Sequence, residues 1–196
     1  MNKFWLYLVR IIFITLIAFE AANLFGLIKF ELDYSWFGLI ITALVVWIGI
    51  EIIYYFHKYK LGRNLPAIVL IFPTLSILID ALGDILRFYS RFEWYDQMAH
   101  FIGGISTALV LFYIIIVYAK YKKYNIGIGF ASVYALFGTG FFAAIYEIEE
   151  YAETIILKNN RLGDRFDIPD DLLWTILGGI IGVLIIMLFL NFRKKK

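Results

Sequence analysis

The sequence predicts an all-α membrane protein: a polytopic helical bundle of about six spans with both ends in the cytoplasm. Three observations carry this. The 196-residue chain is 62% hydrophobic and 17% charged, with mean hydropathy +0.81, and a soluble globule of that size cannot hide so many apolar side chains. Its apolar residues fall into six continuous stretches, each long enough to cross a bilayer. Its basic residues cluster at alternate ends of those stretches.

The first stretch, Phe4 to Leu27, resembles a signal peptide only superficially. It is long, and Glu20 interrupts the Ala18 to Ala22 region where a small-residue cleavage site would lie, so a retained helix is expected. The second, Trp36 to Phe56, carries Glu51 and is followed by His57, with Lys58 and Lys60 placed to pair with Glu51. The third, Leu65 to Phe88, has Pro66 in its expected first turn, where a missing N–H costs nothing, and Pro73 inside, where a kink is expected. The fourth and fifth, Tyr95 to Ala119 and Ile126 to Ile156, contain Gly103/Gly104 and Gly138/Gly140. The last, Pro169 to Phe192, contains the G-x-x-x-G of Gly178 and Gly182, a pattern of close helix packing. Barrel strands would be short and alternating, and these runs are not. Six spans of about 20–25 residues use essentially the whole chain, so residues 1–196 are expected to form a single transmembrane domain.

Lys3/Arg10, Lys58/Lys60/Arg63, Lys120/Lys122/Lys123 and Arg193 to Lys196 hold twelve of the 18 basic residues. The positive-inside rule makes those ends cytoplasmic and predicts a multi-pass protein of the cytoplasmic membrane. Of the 16 acidic residues, only Glu51 falls on the inner half, so the acidic face is expected outside. The bases lie in short loops, not on a folded basic face, and no nucleic-acid partner is expected. Membrane lipids are the expected neighbours. With no Cys there is no thiolate metal site, and two His exclude a histidine-rich desaturase type.

The acids follow helical spacing. Ser76, Asp80 and Asp84 stand at i, i+4 steps on the third span, and Asp96 and His100 share a face of the fourth. Glu147 and Glu150 share a face of the fifth, while Glu149 points elsewhere. Asp167 precedes the sixth, and Asp171 heads its stripe of Thr175, Gly178 and Gly182. An ionised acid at a span's centre costs about 2.5–3.5 kcal/mol, so such a set needs counter-charges from outer bases or from a bound cation. Asp80, Asp84, Asp96, His100, Glu147, Glu150, Asp167 and Asp171 are therefore expected to form one convergent cation site. Oxygen-rich ligation with one imidazole suits a divalent metal ion, Mg, Mn, Ca, Fe or Zn. A simpler reading competes with it. Asp96, Asp170 and Asp171 suit helix N-termini, and Glu150, Glu153, Asp164 and Asp167 suit wet headgroup-level positions. Glu20 with Asn23 is a weaker candidate, and a Ser106/His100/Asp96 triad fails because Ser106 lies off the shared face.

Asp96-x-x-x-His100-Phe-x-Gly, Glu147-x-x-Glu150 followed by an aromatic, and Asp164-x-x-Asp167-x-x-x-Asp171 before a Gly-rich span resemble the YjdF-like inner-membrane proteins. The likeness runs from the third span onward. The Asp-x-x-x-His-Phe start is distantly similar to VanZ-type membrane proteins. Tyr151 and Asp170 stand where Trp would accompany the motif acids. The resemblance implies the membrane setting and supports the site residues, but it names no reaction.

Three functions compete. A metal-dependent enzyme would act on a lipid or polyprenyl-type substrate from the outer leaflet, with His100 as proton carrier if it is not a ligand. A divalent-cation or proton transporter would use Asp80 as a deep relay, but the inner half offers only Glu51. A non-catalytic module would hold a structural ion or a salt-bridge network.

Overall fold

The computed structural model describes residues 3–62, 65–158, 161–162 and 166–194. Arg63, Gly163, Asp164, Arg165, Lys195 and Lys196, used in the sequence reading, lie outside the described residues. The described secondary structure is helical: α1 (Lys3–Leu24), α2 (Trp36–Lys60), α3 (Ile68–Ile85), α4 (Phe88–Arg91), α5 (Tyr95–Tyr121), α6 (Ile128–Leu157) and α7 (Asp167–Lys194). All but the four-residue α4 are long and apolar enough to cross a membrane, and the protein is a multi-pass helical membrane protein.

The chain folds as two compact units. The first comprises Met1–Tyr95 with Ala152–Arg161, the second Asp96–Tyr151 with Leu162–Lys196.

In the first unit α1 packs on α2, and both touch α3. Phe13 stacks on Trp47 at 6.2 Å, and Phe19 meets Trp36 edge-on. Ser35 caps α2, its hydroxyl accepting from the Gly38 amide at 3.0 Å, which satisfies one of the orphan N–H groups of the first turn. Asn23 closes α1: its side-chain amide donates to the Phe19 carbonyl at 2.8 Å and its carbonyl accepts from Phe30 N at 3.0 Å. Two expectations change here. Glu51 pairs with Arg10, not with Lys58 or Lys60, through two 2.6 Å hydrogen bonds. Lys58 instead lies over the rings of Tyr54 and Tyr59. Pro66 precedes the Ala67 cap of α3 and so lies outside the first turn. Pro73 and Pro169 fall inside α3 and in the first turn of α7, as expected.

In the second unit small residues set the helix spacing. Ala108, Phe112, Ala131, Ala135 and Val183 form its buried cluster. A Cβ on Gly104 would collide with the Thr175 carbonyl, and one on Gly178 with the Phe101 carbonyl. At Gly182 the Ile105 carbonyl would lie 2.9 Å away. The backbones of α5 and α7 thus touch along the glycine stripe, the close approach that G-x-x-x-G permits. Gly140 is different: nothing lies within 4 Å of its Cβ position.

Candidate metal centre

The backbone contact at Gly104 and Gly178 fixes what stands one or two turns away. His100, four residues before Gly104, meets Thr175 and Asp171 of α7. Its Nδ1 lies 3.2 Å from Thr175 Oγ1. Its Nε2 lies 3.6 Å from Asp96 Oδ1 on its own helix and 3.6 Å from Asp171 Oδ1. These last two separations are too long for hydrogen bonds. They are close to what atoms sharing an ion show: ligands about 2.1 Å from a metal stand roughly 3.0–3.4 Å from one another. The ring also meets Tyr146 edge-on at 5.8 Å.

The end of α6 supplies the rest. Glu147 and Glu150, one helical step apart, are 4% and 6% exposed, and each brings a carboxylate oxygen within 4.8 Å of one on Asp171 and of the other's. Asp96, His100 and Asp171 satisfy the same mutual limit. Asp171 therefore belongs to both groups. It is 2% exposed, its Oδ2 has no hydrogen-bond partner among the described residues, and it stands within electrostatic range of Asp96, Asp167, Glu147 and Glu150. Glu147, Glu150 and Asp171 are thus three close, buried carboxyl groups, whose mutual repulsion a proton or a cation would relieve. With Nδ1 beside the Thr175 hydroxyl and Nε2 toward Asp96 and Asp171, the ring is oriented by a hydrogen bond as metal-ligating imidazoles are.

The first unit treats its acids differently. Asp84, fully buried, accepts from the amides of Asp33 and Tyr34 at 2.8 and 2.9 Å through Oδ1 and so clamps the segment between α1 and α2 onto α3. Asp80 accepts from the Tyr89 hydroxyl at 2.8 Å. Asp33 takes the Arg87 guanidinium at 3.2 Å and the Ser90 amide at 3.0 Å. Glu153 lies 3.7 Å from Arg161, with both side chains buried, and the guanidinium sits over the Tyr34 ring. Glu153 packs against Gly38, where any Cβ would strike its carboxylate.

Six of the eight sequence-predicted site residues, Asp96, His100, Glu147, Glu150, Asp167 and Asp171, thus fall in the second unit. Asp80 and Asp84 fall in the first, each with a protein donor. Glu150 and Glu153 are buried, not wet as the simpler reading had them. The clamp on Asp33 and the Glu153–Arg161 pair were not foreseen. Glu147, Glu150 and Glu153 follow one another at three-residue steps, a stripe that pointed to a buried Glu153.

Six long apolar helices with buried carboxylates make this a polytopic α-helical integral membrane protein. Residues 5–192 match the family model described as "Predicted membrane protein (DUF2238)", and the chain belongs to that family, which is the YjdF-like one. Among curated proteins and solved structures nothing matches.

Proposed function

We propose that the second unit binds a divalent cation through Asp96, His100, Glu147, Glu150 and Asp171, with Asp167 nearby, and that the ion serves a reaction on a lipid or polyprenyl-type substrate. The observation that carries the reading is Asp171, which is buried, short of a hydrogen-bond partner at Oδ2, and common to both ligand groups. The site also has an open side. The Asp96 side chain is 33% exposed while those of His100 and Asp171 are 9% and 3% exposed, and a catalytic ion needs such an opening for substrate. Exposed Ile148 and Tyr151 flank Glu147 and Glu150 on α6 and offer an apolar approach for a lipid chain. The distribution of basic residues supports the outer side of the cytoplasmic membrane for this end. A bound ion there would polarise a phosphate oxygen or activate water.

Transport is the weaker reading because Glu51, its one acidic stepping stone on the inner half, is held by Arg10 in two hydrogen bonds. Metal analysis of the purified protein should find one divalent ion per chain, lost in Asp171→Asn. Proteoliposomes should show no flux of that ion. A metal-free protein whose stability is unchanged in Asp171→Asn and His100→Ala would remove the site, and ion flux would replace the enzyme reading with the transporter.

A further inference from the structure

Glu20 belongs to none of the pairs described above. It lies on α1, is 0% exposed, and among the described residues neither carboxyl oxygen has a hydrogen-bond partner. Asn23, the polar side chain one turn on, is committed to Phe19 and Phe30. The ionisable groups that act on Glu20 are Asp80 and Asp84 of α3, with Asp80 the stronger, and no basic group offsets them. Arg161 acts on Asp84, and the Tyr89 hydroxyl is given to Asp80. These three acids are also not among the described sets whose oxygens gather within 4.8 Å, so the geometry does not suit a tightly coordinated metal. An ionised carboxylate here would be sealed from bulk solvent, with no hydrogen-bond donor among the described residues and two acids as its electrostatic neighbours. A neutral carboxylic acid avoids the burial of an unpaired charge and the repulsion from the neighbouring acids.

We propose that Glu20 is a proton-binding site of the first unit, a carboxylic acid that holds its proton between α1 and α3. The site is independent of the cation centre in the second unit.

Infrared spectroscopy of the purified protein at neutral pH tests it. The expected spectrum contains the carbonyl stretch of a protonated carboxylic acid, and Glu20→Gln, isosteric with the neutral acid, removes one carboxyl's share of it while leaving Mn²⁺ binding unchanged. A wild-type spectrum without that band, or a band untouched by Glu20→Gln, overturns the proposal. Should Glu20→Gln fail to fold, dicyclohexylcarbodiimide, which modifies protonated carboxyl groups in apolar surroundings, decides on the unaltered protein. An adduct on Glu20 in the peptide mass spectrum supports the site, and adducts on other acids with none on Glu20 overturn it.

Discussion

In the first unit buried Asp84 and Glu153 and half-buried Asp80 and Asp33 each have a protein partner: Asp84 two amides, Asp80 a tyrosine, Asp33 a guanidinium and an amide, Glu153 an arginine. In the second, Asp171 is shared by two close groups, one with Asp96 and His100 and one with Glu147 and Glu150. In the first unit the acids hold segments together, and their removal should unfold the protein. In the second, the cation proposed above would offset the repulsion among carboxyl groups gathered around Asp171.

The sharpest way to break this contrast is at Arg161. Arg161→Met leaves Glu153 buried without its guanidinium and should cost about 3–5 kcal/mol in thermal unfolding, most of it recovered in the Arg161→Met/Glu153→Leu double variant. No loss in the single variant would mean the pair does not hold the first unit. Asp84→Ala strips the acceptor from two amides and should cost about 2–3 kcal/mol, while Asp84→Asn, which keeps an acceptor, should cost clearly less. Equal losses would place the role of Asp84 in its charge instead.

The second unit should answer to metal. Manganese at about a hundred times its dissociation constant should stabilise the wild type by about 2.7 kcal/mol and leave Asp171→Asn unaffected. Chelation should reverse the gain. The smallest effect concerns the scaffold. Gly178→Ala, driven into the Phe101 carbonyl, should cost about 1–2 kcal/mol and weaken manganese binding as α5 and α7 separate. Gly140→Ala, with open space around it, should be neutral or slightly stabilising, by up to about 1 kcal/mol.

The six spans were legible because each is a long, predominantly apolar run, and Trp36 and Tyr95 open their helices where expected. The short α4 was not, since four residues between two turns leave no periodicity to read. The helix-borne part of the site was legible for the same reason as the spans: Asp96 with His100, Glu147 with Glu150, and Asp171 with Thr175 follow helical spacing. What spacing cannot give is the partner on another helix. Arg10 and Glu51 are 41 residues apart, and Asp33 donates its amide across 51 residues to Asp84. Lys58 was the nearer base in sequence, yet the pairing was decided by packing of α1 on α2. Asp80 and Asp84 were grouped with the other acids on the same ground, since a helical stripe shows that two residues share a face but not what that face meets.

The most direct test of the cation centre is titration of the purified, metal-free protein with Mn²⁺, following the electron paramagnetic resonance signal of the free ion. The account predicts that the signal is suppressed up to one equivalent per chain, that a nitrogen coupling from His100 appears on the bound ion, and that Asp171→Asn abolishes both. A free-ion signal that rises from the first addition, or binding that survives Asp171→Asn and His100→Ala unchanged, would contradict it.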